Sequence, residues 1–298
     1  MIHIPYDENK LKNAMDMHAW AVRGRVSTKN PEYRRQLFQN VGSLTVWNKP
    51  YEENNFDWLD DFILSDVERL KTFAEHPEAL QFKEFKEMYA SYFSHSPDTY
   101  LFGKYNAYTF VKNLGVTICP YCDEEYLNAV KQDGKPRRTF EIDHFYSKSK
   151  YPALAMCFFN LVPSGQNCNG LKLEKDISKN PYESDIESHT RLYPDLPIGV
   201  NMDIVKVEDC TIHFHQHEDM TRNVEIFALE DRYKAHRGIV RDLLRKKQFY
   251  SDEKLEEMVR CGFFRSVEEA KRDLFGEDSK TEILGKLRRD LLGNDFSR

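Results

Sequence analysis

The sequence predicts an α+β protein in which a small segment of short strands lies between two mainly helical regions. Three observations support this fold class. Apolar residues recur at helical spacing over residues 56–70. The pair Asp133-Gly134 joins two runs with the composition of strands, which is typical of a β-hairpin. Four of the 6 cysteines lie between residues 119 and 168, and this clustering indicates a site for a metal ion.

Changes of pattern place the boundaries of three regions. Residues 1–114 form the N-terminal region, where residues 82–93 and 105–114 also have helical spacing. Residues 115–180 contain the hairpin, a second apolar run and the start of a short helix. Residues 181–298 begin with a proline-rich connector and continue with a short β segment and a helical tail.

Serines mark two helix starts in the tail. Ser251 precedes an apolar helical pattern and is a favoured N-cap residue. Ser266 is followed three residues later by Glu269, which is the spacing of a capping box. In the preceding β segment, three alternating histidines permit a metal site but are more typical of an exposed strand face: His213, His215 and His217.

Composition limits the classes of function. The chain has 298 residues and a formal net charge of -6, so any binding to nucleic acid has to depend on a local basic patch or on a partner. The longest apolar run, residues 152–162, has about half the length of a membrane span. We therefore expect a soluble protein of the cytoplasm with no membrane partner. Cysteines stay reduced in that compartment, so their clustering favours a metal over disulfides.

Residues 119–172 contain the residue types that phosphodiester hydrolysis needs. Asp143 and His144 are adjacent at the end of a predicted strand. A carboxylate binds Mg²⁺ or Mn²⁺, and these ions bind phosphate oxygens. A neutral imidazole can take a proton from water and so produce the nucleophile. Because an isolated Asp-His pair is common at protein surfaces, the hypothesis depends on its neighbours.

Three further side chains extend this hypothesis. Asn160 can orient the imidazole through an amide hydrogen bond, and Asn169 can supply a neutral oxygen to the cation. Lys172 follows one helical turn after Asn169, so its ammonium can meet a phosphate. All of these residues occur in order within one short stretch, which makes coincidence a poor explanation.

In the order of these motifs, the stretch resembles the HNH endonucleases, whose ββα-metal fold wraps two strands and a helix around one catalytic cation. The resemblance implies that His144 is the general base and that Asp143 and Asn169 hold one Mg²⁺ or Mn²⁺ ion. It also implies that Asn160 orients the base. The expected enzyme is a metal-dependent nuclease, with DNA as the favoured substrate.

Many HNH proteins also hold a structural Zn²⁺ ion between two C-x-x-C pairs, and the resemblance implies such a site here. Cys119 and Cys122 form an intact first pair. The second pair keeps Cys168 but has Gly165 where the other cysteine belongs. A closed zinc site takes four protein ligands. The fourth ligand stays open between Cys157, a residue from elsewhere in the chain and water, although a buried free thiol is the favoured interpretation of Cys157.

Residues 143–152 and 180–183 resemble a narrower group, the Septu-type HNH effectors that are encoded beside an ATPase in bacterial antiphage systems, including retron-associated ones. This resemblance implies an ATPase partner. Two alternatives stay open: a ribonuclease acting on tRNA or other structured RNA, and a non-catalytic zinc-binding subunit of an ATPase complex. The residues expected to contact nucleic acid are basic and close to the site: Arg137, Arg138, Lys148, Lys150 and Lys172.

Overall fold

A computed structural model describes residues 1–4, 7–44, 56–94, 105–197, 199–276 and 280–293 of the protein. The described part of the N-terminal region is helical, as predicted. Its helices are α1 (Glu8–Ser27), α2 (Pro31–Gly42), α3 (Phe56–Ile63), α4 (Val67–Ala74), α5 (Glu84–Met88) and α6 (Ala107–Leu114). A π-helical turn, Tyr89–Phe93, continues α5.

Polar caps fix where these helices begin and end. The Asp7 carboxylate accepts hydrogen bonds from two backbone N–H groups in the first turn of α1. Asn106 and Thr109 form a capping box at the start of α6. Gly115 ends α6 with φ of 68°, a left-handed conformation that glycine adopts without strain. The helical region therefore ends where the sequence pattern changes.

A β-hairpin lies at the start of the middle region. Its strands β1 (Ala129–Gln132) and β2 (Lys135–Arg138) pair in antiparallel register around Asp133 and Gly134. Both turn residues have positive φ, 53° and 74°, which Asp and Gly tolerate in the turns that suit hairpins. The predicted hairpin is confirmed.

A second strand pair and a short helix follow. The strands β3 (Phe140–His144) and β4 (Leu161–Gly165) are antiparallel, and Asp143 lies opposite Val162. Two 3₁₀ turns lie in the loop between them. The helix α7 (Gln166–Lys172) begins directly after β4. The chain order is thus strand, strand, helix, with the Asp-His pair at the end of the first strand.

The C-terminal region adds a third strand pair and a set of helices. These elements are β5 (Thr190–Asp195), β6 (Thr211–Gln216), α8 (Thr221–Ile226), α9 (Leu229–Tyr233), α10 (Arg237–Phe249), α11 (Asp252–Arg260), α12 (Val267–Phe275) and α13 (Gly285–Leu292). Ser251 and Ser266 are the N-caps of α11 and α12, as predicted. The proline-rich connector is not wholly irregular, because β5 runs through Pro194. Either strand of a two-stranded sheet is an edge strand, where proline is tolerated.

One continuous hydrophobic core joins the three regions. It includes Val22 of α1, Phe158 of the middle region and Phe227 after α8. The buried His18 on α1 lies within hydrogen-bonding distance of the Met156 carbonyl, with 2.8 Å between its Nε2 and that oxygen. The N-terminal helices therefore support the loop between β3 and β4. Among the described residues, no helix has the length and apolar character that a membrane crossing requires.

Candidate active site

The Asp143 carboxylate is buried between β3 and α7, and both of its oxygens are engaged. The Tyr121 hydroxyl donates to Oδ2 at 2.7 Å. The Lys172 ammonium donates to Oδ1 at 3.2 Å and to the His144 carbonyl at 2.8 Å. Asp143 is 3% exposed and Lys172 is 0% exposed. Lys172 thus lies on the predicted side of α7, but it is paired with the acid and is not available to a phosphate, contrary to the sequence expectation.

The support for Asp143 comes from the cysteine loop. Tyr121 lies between Cys119 and Cys122, and its fully buried ring stacks on Phe227 with 4.4 Å between centroids. A buried tyrosine hydroxyl needs a hydrogen-bond partner, and the Asp143 carboxylate is that partner. The position of the acid therefore depends on the conformation of the loop that carries the first two cysteines.

The His144 ring is held in one orientation with one nitrogen committed. Its Nε2 lies 3.1 Å from the Ala155 carbonyl oxygen. A carbonyl can only accept, so Nε2 carries the proton and Nδ1 of the neutral ring is left as the acceptor. The edge-to-face contact with the Tyr89 ring, at 4.4 Å between centroids, covers the imidazole, and His144 is 4% exposed.

The surroundings of His144 favour its neutral form. Burial is the largest cause and the positive charge of Lys148 the second, and together they hold the pKa of His144 well below its usual 6.5. The hydrogen bond to Ala155 opposes them by raising the pKa. At neutral pH the ring is therefore an uncharged proton acceptor, which is the state that a general base requires.

Asn160 contacts the backbone of the loop and not the imidazole. Its Oδ1 accepts from the Tyr146 N–H at 2.7 Å, and its Nδ2 donates to the Leu154 carbonyl at 2.9 Å. The sequence predicts a direct hydrogen bond to His144, and the described contacts of the Asn160 amide do not include one. The fully buried amide instead fixes the loop that presents the neighbouring Ala155 carbonyl to the ring, so Asn160 orients His144 indirectly.

Asn169 lies on α7 and is half-buried. Within the described ranges, its amide makes no hydrogen bond, and no side-chain hydrogen bond joins any two of Asp143, His144, Asn160 and Asn169. The Asp143 carboxylate, one of the two groups expected to hold the cation, is paired with the Lys172 ammonium instead.

The three motif cysteines come together as predicted. Cys119, Cys122 and Cys168 are buried, and their Sγ atoms lie within 4.8 Å of one another. Cys157 lies elsewhere, with its Sγ 3.8 Å from the Phe62 carbonyl oxygen, so it is a buried thiol outside this cluster. Sequence reasoning missed Glu125, although it lies only three residues after Cys122 and its Oε1 is 3.8 Å from the Cys122 Sγ.

The other basic residues differ in their availability to a nucleic acid. Arg137 is exposed on β2. Arg138 pairs with Glu141 at 3.1 Å, and Lys150 pairs with Asp176 at 3.0 Å, so both are partly neutralised. The Lys148 ammonium lies over the Tyr89 ring, 5.2 Å from its centroid, and so sits beside the cover of His144.

The alternating histidines do not form one metal site. His213 pairs with Asp195 across the strand pair, whereas His217 lies beyond β6 next to Asp219. His189 also pairs with Asp219 at 3.0 Å. The Lys179 ammonium is 3.5 Å from the same carboxylate, so Asp219 already has a cationic partner within the chain.

Comparison with known proteins gives no assignment. No family model matches the chain, and no curated protein or solved structure matches it. A function for the chain therefore has to be inferred from the contacts described above.

Proposed function

We propose that the protein is an HNH-type endonuclease that hydrolyses nucleic-acid phosphodiesters with His144 as the general base. The observation that carries this proposal is the contact between His144 Nε2 and the Ala155 carbonyl, which leaves Nδ1 as an acceptor. The neighbouring Asp143 and the order of β3, β4 and α7 support it, because they agree with the ββα-metal arrangement. DNA is the favoured substrate, as expected from the sequence.

A divalent cation, Mg²⁺ or Mn²⁺, belongs to this proposal. The donor types fit it, since the Asp143 carboxylate and the Asn169 amide both offer hard oxygen atoms. When bound, such an ion stabilises negative charge on the phosphate oxygens. The ammonium of Lys172 has to leave Asp143 before a cation can bind there, because it is 3.2 Å from the carboxylate. We therefore interpret this conformation as a closed form of the site.

The closure also favours a second candidate, a zinc-binding interaction subunit without catalytic activity. Asp143 and His144 are both buried, and Tyr89 covers the imidazole. In that case the pair of Lys172 with Asp143 is a permanent structural contact. The two candidates differ in whether the site ever opens to a substrate.

Cleavage of two substrates tests the proposal. We expect the chain to cut plasmid DNA in the presence of Mg²⁺ or Mn²⁺ and to stop when the cation is chelated. Because the site is closed, we expect faster cutting when the ATPase subunit implied by the flanking sequence is added. Faster cutting of total tRNA than of plasmid would support the ribonuclease alternative. No cutting of either substrate with the ATPase and ATP present would contradict the proposal and favour the non-catalytic subunit.

The pH dependence of cleavage tests the role of His144. The base acts in its neutral form, and its pKa lies well below 6.5 because of burial and Lys148. Lowering the pH from 8 to about 6.5 should therefore protonate little of it, and kcat/KM should start to fall only at more acidic pH. The measurement is a profile of kcat/KM against pH at saturating cation concentration. A fall centred at or above the usual histidine pKa would contradict the assignment.

A further inference from the structure

The carboxylate of Glu125 occupies the space where a side chain at position 165 would lie. A Cβ atom built on Gly165 would be 2.9 Å from Glu125 Oε1 and closer still to Oε2. Gly165 has φ of -67° and ψ of 154°, an extended conformation that any residue adopts. The backbone therefore does not require glycine at this position, whereas the Glu125 carboxylate can keep its present place only if position 165 has no side chain.

The distances around Glu125 suit a tetrahedral zinc site. Its Oε1 lies 3.8 Å from Cys122 Sγ and 3.9 Å from Cys168 Sγ. Bond lengths of about 2.3 Å for Zn–S and about 2.1 Å for Zn–O place tetrahedral ligand atoms about 3.6–3.8 Å apart. The carboxylate is thus close to ligand distance from two of the three thiols, which themselves lie within 4.8 Å of one another.

A tight backbone turn places Glu125 beside the cysteines. The Cys119 N–H donates to the Glu125 carbonyl at 2.8 Å, and the Asp123 N–H donates to the Cys119 carbonyl at 2.9 Å. Asp123 adopts φ of 63°, a left-handed conformation that Asp visits more readily than most residues. The loop that carries the first two cysteines therefore carries the carboxylate as well.

A positively charged side chain beside the three cysteines and Glu125 also suits a bound metal ion. Three thiolates, one carboxylate and Zn²⁺ have a net charge of about −2. The Arg232 guanidinium of α9 faces this group, and it donates to Cys168 Sγ at 3.2 Å and to Glu125 Oε1 at 3.1 Å. Hydrogen bonds from a cation to ligand atoms compensate excess negative charge and hold the ligands in place.

We propose that Glu125 is the fourth ligand of a structural Zn²⁺ ion held by the three clustered cysteines, in place of the thiolate that position 165 lacks. Neither Cys157 nor a water molecule is then needed to close the site. The proposal concerns metal binding and does not depend on whether the protein hydrolyses nucleic acid.

Zinc content and affinity of the full chain test this proposal. We expect one zinc per chain by elemental analysis, and an affinity at least about ten-fold lower in Glu125→Ala when measured by competition with a chromogenic chelator. Glu225→Ala is the matched control, because Glu225 is exposed on α8 and, in the described part of the chain, no hydrogen bond or ion pair joins it to Arg232 or to the three cysteines. The control should bind zinc within about two-fold of the natural protein.

Cobalt substitution and a compensating double variant separate a ligand from a merely structural neighbour. Thiolate-to-cobalt charge-transfer absorption should correspond to three thiolates in the natural chain. Combining Glu125→Ala with Gly165→Cys should restore tight zinc binding and raise that absorption by about a third, because a fourth thiolate then enters the space that Glu125 leaves. The proposal would be overturned if Glu125→Ala bound zinc as tightly as the natural protein. It would also be overturned if the natural protein contained no zinc after expression in zinc-supplemented medium. An inactive protein that contains zinc would contradict only the proposed hydrolysis.

Discussion

Replacing His144 with glutamine is expected to lower the rate of phosphodiester cleavage by about 100-fold or more, because general-base catalysis contributes a factor of this size. A glutamine amide can still donate to the Ala155 carbonyl, which His144 faces at 3.1 Å, so the loop keeps its support. The amide has no basic nitrogen that can take a proton from water. The measurement is the initial rate of plasmid cleavage at saturating Mg²⁺, together with a thermal unfolding curve.

His215→Gln is the matched control for this variant. His215 is exposed on β6 and lies outside the site, so its replacement should leave the cleavage rate within about two-fold of the natural rate. If His144→Gln cuts as fast as the control, the imidazole is not the base. If His144→Gln unfolds at a much lower temperature, the cleavage assay is run below that temperature for His144→Gln and for a second variant, His144→Asn. Loss of cleavage in variants that are still folded then reports lost catalysis and not lost folding.

Features that depend on short stretches of sequence could be predicted. The Asp133-Gly134 hairpin follows from turn chemistry, and the helix starts at Ser251 and Ser266 follow from capping. The strand that ends in Asp143 and His144 can also be predicted from a short stretch, because its apolar residues alternate. In each case the information lies within about ten residues, which is the range over which periodicity and capping act.

The environment of the site could not be predicted in this way. Tyr89 covers His144 from the N-terminal region, 55 positions earlier in the chain, and no pattern in either segment indicates that contact. Lys172 was expected to face the site, but its pairing with Asp143 depends on the depth at which α7 packs on β3. Arg232 reaches the cysteine cluster from α9. These contacts depend on tertiary packing, which a motif does not encode.

The glycine at position 165 can be interpreted only together with the fold. In the sequence, Gly165 stands where the resemblance to HNH proteins implies a cysteine ligand of zinc. In the structure, it is the residue small enough to leave room for the Glu125 carboxylate. The two residues are 40 positions apart, and only the antiparallel return of β4 beside the cysteine loop brings them together. The same loop supports Asp143 through Tyr121, so metal binding and the position of the acid are expected to be coupled.

Replacing Lys172 with methionine is expected to lower the free energy of unfolding by about 3–5 kcal/mol, because it leaves the Asp143 carboxylate buried without its cation. Lys172 is 0% exposed and Asp143 is 3% exposed, so water cannot take over the role of the ammonium in this conformation. The measurement is urea unfolding without added Mg²⁺ or Mn²⁺ and without a chelator. Lys175→Met, three residues later and exposed, should change the free energy of unfolding by no more than about 0.5 kcal/mol.

The double variant Lys172→Met with Asp143→Asn shows whether the loss comes from the unpaired charge. It should regain much of the stability, since no charge is then buried without a partner. Adding Mn²⁺ should also stabilise Lys172→Met, because the Asp143 carboxylate is free there and an ion that binds only the folded state raises the free energy of unfolding. The same addition should not stabilise the double variant or Lys175→Met. A Lys172→Met variant as stable as the natural chain would mean that the ion pair does not hold the site closed. A Mn²⁺ effect that is equal in the double variant would place the ion elsewhere than at Asp143.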